Sequence, residues 1–325
     1  MQHLVSVIMP AYNSARYIAE SVRSVQAQTF GGWELIVVDD GSTDDTAAVV
    51  RALAEADARV RLVARPNGGQ AAARNTGLRE ARGRLVAFLD SDDLWLPEKL
   101  SAQLAVLEEK GVDLVYTDGY IFSDEGAEAP EERFYILPGE ARGVEMFRTL
   151  FASNRIGTLS VLVRRSALDA VGLFDEDRAY QNCEDYDLWL RLAKWGAGFY
   201  GMTEKLMRYR RHAAATTYSA GKLLTPMLAV ILKHAPDPAL DPALVRERVR
   251  GLYRDLIAAL VSEGRVGEAR ARMREFYAWD GGAPVTALQR LLLRLLPRGY
   301  NYISRELLYR AEWHARGLLG RPRGA

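Results

Sequence analysis

Five short runs rich in Val, Ile and Leu recur along the first third of the chain: LVSVIM at 4–9, ELIVV at 34–38, VRLV at 60–63, LVAFL at 85–89 and VDLVY at 112–116. Each is too short for a helix and too uniformly apolar for a half-exposed strand, so each reads as a strand covered on both faces. The intervals carry helical spacing. Ser14 is placed to cap a helix with apolar positions Ile18, Val22 and Val25, Thr43 to cap a second through Ala56, and a third runs from about Gln70 to Ala81. Strand and helix alternating in this way give βαβ units, right-handed at each crossover, and a mostly parallel sheet flanked by helices. Ligands of such sheets bind outside the carboxyl ends of the strands.

Acidic clusters fall at those ends. VVDDGSTDDT puts Asp39 and Asp40 after the second run, and FLDSDD puts Asp90, Asp92 and Asp93 after the fourth. Carboxylates gathered at one edge repel each other by a few kcal/mol at an effective dielectric near 20, so a proton or a cation has to relieve them. Mg²⁺ or Mn²⁺ suits the task, being held by one or two carboxylates together with substrate phosphates. The same residues are also good turn and cap chemistry, with Asp92 or Asp93 placed to cap a helix beginning near Pro97.

Bulk composition excludes several classes. The formal net charge of +1 gives no global reason to bind nucleic acid. Cys183 is the single cysteine, so no intrachain disulfide forms. No run approaches the roughly 20 apolar residues of a spanning helix, and MQHLVSVIMPAYN does not read as a secretory leader. The expectation is a cytoplasmic protein, with peripheral contact at the inner face of a membrane left open.

Three segments, VSVIMPAYNSARYIAESVRSVQAQTFGGWELIVVDDGSTDDT, RPNGGQAAARNTGLREARGRLVAFLDSDDLWLPEKL and VGLFDEDRAYQNCEDYDLWLRLAKWG, occur in order between residues 1 and about 212. Together they closely resemble the family 2 glycosyltransferases, inverting enzymes of the GT-A fold that use nucleotide-activated sugars. The resemblance implies a catalytic domain over 1–215 with a helical C-terminal region over 216–325. It implies metal-dependent transfer from a nucleoside diphosphate sugar, a UDP-sugar first, to a hydroxyl on a glycan or lipid-linked acceptor. The rival classes are a sugar nucleotidyltransferase, for which PAYNSARY lacks the glycine-rich basic loop, an aspartyl phosphatase, whose supporting Thr and Lys motifs are missing, and a noncatalytic nucleotide-sugar-binding subunit.

Carried onto this chain, the resemblance places Pro10, Ala11 and Tyr12 beneath the nucleobase, with Tyr12 stacking on it and Asp40 accepting a hydrogen bond from it. Asp90 and Asp92 form its DxD, Asp92 on the metal and Asp90 toward ribose or a metal-bound water, with Ser91 between them and Asp93 behind. Gly69 and Arg74 in NGGQAAARNTG approach the nucleotide, and His212 in MRYRRH completes the metal shell. The catalytic acids are Glu184 and Asp185, Asp185 taking the proton of the acceptor hydroxyl at its ordinary carboxylate pKa. Leu188, Trp189, Leu192 and Ala193 pin the helix that follows. Read from the residues alone, Asn182 is an N-cap and the acids complement the helix dipole.

The remaining segments carry less. Residues 120–160, with SDEGAEAPEERFYILPGEARG, read as an irregular exposed stretch, after which Asn154, Thr158 and Ser160 are candidates to face the acceptor. AAATTYS, after His212, is small and polar enough for a flap. Beyond about 220 the chain turns helical, with a hairpin joined at SEGRVGEA. From Val285 onward eight arginines stand against two glutamates, a pattern that fits either a solvated helical face, against the catalytic domain or a second copy, or an anionic lipid surface.

Overall fold

The computed structural model describes residues 5–123, 128–133, 136–212 and 220–280. The first strands and helices come in the expected alternation: β1 (Val5–Ala11), α1 (Ile18–Gln26), β2 (Trp33–Asp39), α2 (Thr46–Ala56), β3 (Val60–Ala64), α3 (Gln70–Glu80) and β4 (Leu85–Phe88). Their order across the sheet is β3-β2-β1-β4, all parallel. The order reverses between β1 and β4, which opens a crevice at the carboxyl ends of those strands.

The uniformly apolar composition of these runs has a direct cause. Val5, Val7 and Met9 of β1 and Leu85 and Ala87 of β4 face a core shared with α1, α2 and α4 (Lys99–Lys110), while Ile8, Val86 and Phe88 face a second core on the other side. Alternate residues feed two apolar layers, so neither face can be polar. On the second side α3 crosses β1 at Gly77, where a Cβ would lie 2.5 Å from Ile8 Cγ2; only glycine lets the helix approach this closely.

Beyond β4 the sheet becomes mixed. The remaining strands are β5 (Leu94–Trp95), β6 (Leu114–Ser123), β7 (Glu128–Arg133), β8 (Gly139–Arg142), β9 (Val161–Arg164) and β10 (Gly198–Arg211). β9 enters antiparallel between β4 and β6, and β10 lies parallel to β6 with two register shifts between Met202 and Met207. Helices α5 (Gly143–Ala152), α6 (Arg165–Val171) and α7 (Glu184–Trp195) cover the second face. α8 (Ala220–His234), α9 (Pro242–Ser262) and α10 (Val266–Trp279) pack into the same apolar core. Among the described residues no helix is long and apolar enough to cross a membrane.

Several local expectations need correcting. No side chain caps α1 or α2: the Ser14 carbonyl accepts from the Tyr17 and Ile18 amides, and the Thr43 amide donates to Asn13 Oδ1 at 2.8 Å. The loops after β1 and β2 bond to one another instead, the Ala15 amide to Asp44 at 3.1 Å and the Ser14 amide to Thr46 Oγ1 at 2.8 Å, while the Ser14 hydroxyl pairs with Ser91 Oγ and the Thr43 hydroxyl donates to Asn13 Oδ1. α4 starts after Glu98, so neither Asp92 nor Asp93 caps it. Asn182 does not cap α7 but holds a left-handed φ of 75° one residue before Cys183. The stretch read as irregular contains α5, whose Met146, Phe147, Leu150 and Phe151 are buried. The residues of the flap reading, 213–219, and of the basic stretch from Val285 lie outside the described residues.

Candidate functional site

A cleft of about 410 Å³ opens at the crevice beside β4. Its walls include Asp90, Asp92 and Asp93 from the turn after β4, Arg74 from α3, Thr158 from the turn before β9, and Glu184 and Asp185 from the start of α7. The two acidic groups, about ninety positions apart in the sequence, therefore share one cavity. Leu188, Trp189, Leu192 and Ala193 are fully buried, and it is their packing that aims the first turn of α7 at the cleft. At roughly 1.5–3 kcal/mol for each large apolar side chain, they anchor the helix firmly.

Arg74 joins the two sides. Its guanidinium, 2 % exposed, donates through one terminal nitrogen to Asp90 Oδ1 at 2.7 Å and through the other to Glu184 Oε1. Burial alone would lower its pKa, but Asp90, Glu184 and then Asp185 hold it above the ordinary value, so the cation is firmly charged. Phe174 packs its ring 5.6 Å from the guanidinium carbon.

The acids of α7 differ from each other. Glu184 is 1 % exposed with both oxygens occupied, Oε1 by Arg74 and Oε2 by the Asn182 amide at 2.6 Å. Asp185 is half-buried, accepts from the Tyr186 amide at 2.7 Å through Oδ1 and from Thr158 Oγ1 through Oδ2. Burial, then the neighbouring Glu184, push its carboxyl up to about 6, with Thr158 and Arg74 opposing. The expectation of an ordinary carboxylate pKa is thereby corrected. Ser160 is fully buried and bonds to the Gly157 carbonyl, and Asn154 turns back to the Ile156 amide, so of the three candidate acceptor contacts only Thr158 lines the cleft.

The cluster after β4 is under electrostatic pressure. Asp92 is raised by burial and then by Asp90, and Asp93 is raised well above the usual range by burial and then by Asp92 and Asp90. Asp93 Oδ1 accepts the Arg210 amide at 2.7 Å, whereas its buried Oδ2 has no hydrogen-bond partner among the described residues. His212 Nε2 lies 2.9 Å from Asp92 Oδ2, and its ring stands 4.8 Å from that of Tyr17. Among the described residues no group of three or more His, Cys, Asp and Glu forms a closed cage. Hard oxygen donors whose Asp92 and Asp93 carboxyls are raised by burial and by their acidic neighbours, with too few ligands for a cage, fit a Mg²⁺ or Mn²⁺ ion that brings phosphate and water ligands of its own.

The other predicted contacts lie beside the cleft rather than in its walls. Pro10 and Ala11 are buried at the end of β1, and the Ala11 carbonyl accepts the Asp40 amide at 2.8 Å. Tyr12 follows them with 52 % of its surface exposed, an aromatic ring at the carboxyl edge of the sheet. Asp40 is already engaged: it accepts from the Gly68 amide at 3.0 Å and the Gly69 amide at 2.8 Å, with Arg65 at 3.4 Å, and so shapes the glycine turn. Gly69, at φ 89°, precedes α3 and makes that turn possible. Ser91 Oγ lies 2.7 Å from Ser14 Oγ and ties the acidic turn to the loop after β1.

Gln70, Ile121, Asn182, Tyr209 and Arg211 also line the cleft without having been singled out for it. Gln70, Tyr209 and Arg211 fall inside the motifs NGGQAA and MRYRRH, so a signal existed. Ile121, on the long strand β6, offered none.

The sequence model of Glycosyl transferase family 2 matches residues 6–172, just over half of the chain. The chain belongs to that family. It is 36 % identical over 208 residues to TuaG of Bacillus subtilis (strain 168), named for teichuronic acid biosynthesis, covering 64 % of this chain and 79 % of that protein. It is 34 % identical over 193 residues to UDP-Glc:alpha-D-GlcNAc-diphosphoundecaprenol beta-1,3-glucosyltransferase WfgD of Escherichia coli, covering 59 % and 70 %. Among solved structures, S. aureus TarS 1-349 in complex with UDP-GlcNAc superposes with a TM-score of 0.59 at 22 % identity, over 79 % of this chain and 80 % of that one. Mannosyltransferase PcManGT from Pyrobaculum calidifontis, in complex with GDP-Man and Mn2+, superposes at 0.57 and 21 % identity, over 98 % and 88 %. Those two likenesses carry the fold, which is GT-A. This family 2 glycosyltransferase thus has its sheet crevice, acidic turn and α7 acids arranged on a known scaffold.

Proposed function

We propose that this chain transfers a sugar from a UDP-sugar to a hydroxyl of a glycan or lipid-linked acceptor, with inversion at the anomeric carbon. The observation that carries the reading is the shared cleft, with the acidic turn after β4 on one wall and Asp185 on the other, bridged by Arg74. The UDP-glucose and diphosphoundecaprenol in one relative's name, and the UDP-GlcNAc held by a neighbour of the same fold, support the donor and acceptor classes. The catalytic unit is residues 1–215, and 216–325 is an addition to it whose described part, 220–280, is helical. The reaction belongs at the cytoplasmic side, where nucleotide sugars are the donors.

Tyr12 stacks on the base, the loop held by Asp40 and Gly69 closes around the nucleoside, and Asp90 and Ser91 meet the ribose side. Asp92, with Asp90 and His212, would hold Mn²⁺ or Mg²⁺, which when bound supplies charge neutralisation for the departing diphosphate. Asp185 takes the proton of the acceptor hydroxyl as that oxygen bonds to the anomeric carbon. The bond to the diphosphate breaks on the opposite face. Glu184, with both oxygens occupied, fixes Arg74 and the helix start instead of moving a proton.

Two measurements test this reading. Thermal unfolding with UDP, UDP-glucose, UDP-N-acetylglucosamine and GDP-mannose, with Mn²⁺ or with EDTA, should show stabilisation by a uridine nucleotide that is largest with Mn²⁺. Saturation at about 100 times Kd corresponds to about 2.7 kcal/mol. A flat response to every nucleotide defeats the proposal. The second is a pH profile of kcat/KM for the preferred donor and acceptor. Because Asp185 works only when deprotonated and its pKa lies at about 6, the rate should rise with pH through that value, falling about tenfold per unit below it. A profile level from about pH 5 to about pH 8 removes Asp185 as the base.

A further inference from the structure

Asp187 stands two residues beyond Asp185 and is fully buried, and the proposed reaction gives it no step. Its carboxylate gathers three donors from two helices. Lys233 Nζ at 2.8 Å and His234 Nε2 at 2.9 Å reach Oδ1 from the last turn of α8, and Arg191 Nε reaches Oδ2 at 2.8 Å from within α7. Burial would raise the Asp187 pKa, but His234, Lys233 and Arg191 outweigh it and hold the carboxyl well below the usual range. A carboxylate removed from water in this way is tolerated only while its partners stay in place. Its position therefore reports where α8 is.

α8 touches the same stretch at three further points. Lys233 also meets Asp175 at 2.8 Å and lies 4.6 Å from the Tyr180 ring centre, and near the other end of α8 the Leu223 carbonyl accepts from Cys183 Sγ at 3.7 Å. Residues 175–187, the approach to the α7 acids and their first turn, thus lie along α8. Arg191 extends the link by donating to the Val171, Gly172 and Leu173 carbonyls at 2.8, 3.0 and 2.7 Å. Next to them, Phe174 is bonded through its backbone to Asn75 and packs against Arg74.

We propose that α8 is a brace for the catalytic centre: Lys233 and His234, acting through Asp187, are positioning residues that set where Asp185 stands in the cleft. The inference rests on the reading of Asp185 as the base. It makes α8 a determinant of turnover rather than of nucleotide affinity, since Lys233 and His234 bond to Asp175 and Asp187 on the α7 side of the cleft.

The test uses the full chain, with UDP release from UDP-glucose or UDP-N-acetylglucosamine, whichever the wild type turns over, for kcat and calorimetric titration with UDP and Mn²⁺ for Kd. His234→Leu and Lys233→Met should each lower kcat about tenfold to a hundredfold, the scale of small misplacements of a reacting group, at unchanged Kd. His234→Gln, which keeps a side-chain N–H donor, should recover most of the loss. Arg250→Ala, in the same helical region but paired with Asp280 away from α7, should change neither. Wild-type kcat in folded His234→Leu and Lys233→Met overturns the proposal. So does a parallel loss of UDP affinity, or a Gln variant no better than Leu. If His234→Leu fails to fold, Lys233→Met decides by the same split, since the Lys233 side chain is partly solvent-exposed. Wild-type turnover in Asp185→Asn would defeat the base assignment itself, whereas an inactive Asp185→Asn beside unimpaired α8 variants defeats only the brace.

Discussion

Asp185→Asn should leave a folded protein that binds UDP like the wild type and transfers sugar at least about a hundredfold more slowly, the lower end of what a positioned general base contributes. The substitution is nearly isosteric. The amide oxygen can still accept from the Tyr186 amide, and the Thr158 hydroxyl, which now donates to Oδ2, can rotate to accept from the new NH₂ group. What disappears is the proton acceptor with a pKa of about 6. On the proposed reading the nucleotide is held by the acidic turn after β4 and the loops beside the cleft, so its affinity should not move. Steady-state transfer and calorimetric titration with UDP check the two halves separately, and near-normal turnover in the variant would place the base elsewhere. Glu184→Gln should behave differently, because it weakens the ion pair with Arg74.

Arg74→Met should cost stability as well as rate. The wild-type cation neutralises Asp90 and the almost fully buried Glu184 together. Taking it away leaves a buried carboxylate without its counter-charge, a loss of about 3–5 kcal/mol for pairs of this kind. For a domain of this size that lowers the unfolding midpoint by roughly 10 °C. Arg74 also holds down the Asp185 pKa, so the acid limb of the rate profile should move to higher pH in the variant. Arg74→Lys should recover little, since one ammonium cannot span two carboxylates as a planar guanidinium does. Thermal unfolding followed by circular dichroism gives the first readout; an unchanged midpoint in Arg74→Met would show that the bridge is dispensable.

Much of the scaffold could be read before any coordinate. The runs at 4–9, 34–38 and 85–89 announce β1, β2 and β4 because both faces of a central parallel strand are buried and no polar alternation survives there; the run at 60–63 also forms its strand, but β3 is the sheet's edge and only Val60 in it is buried, so the reading of a strand covered on both faces is corrected there. The helices in the same stretch were legible from spacing, but their caps were not. Ser14 and Thr43 have the right chemistry for local caps, yet the loops bearing them bond to each other, and nothing in a linear sequence records which of two competing partners wins. α5 was missed although Met146, Phe147, Leu150 and Phe151 have helical spacing, because the helix is short, uncapped and preceded by turn residues. The acids at both ends of the cleft were visible as clusters. Arg74 was legible only as a nucleotide contact: its ion pair with Glu184 spans 110 positions and exists only once α3 and α7 are packed. The altered pKa of Asp185 likewise depends on burial that no local motif encodes.

The way β9 inserts into the sheet limits how this enzyme can be re-engineered. Residues 5–89 look like a self-contained module that could be spliced onto another protein's acceptor half. However, one edge of β4 is closed only by β9, through the pairs Leu85 with Arg164, Val86 with Val163 and Ala87 with Leu162. Cut away from it, β4 becomes an open apolar border of the kind that recruits foreign strands. A workable chimera must therefore graft residues 161–164, or an equivalent strand, together with the first half, and the natural crossover point for exchanging specificity lies on the far side of β9, not after the acidic turn.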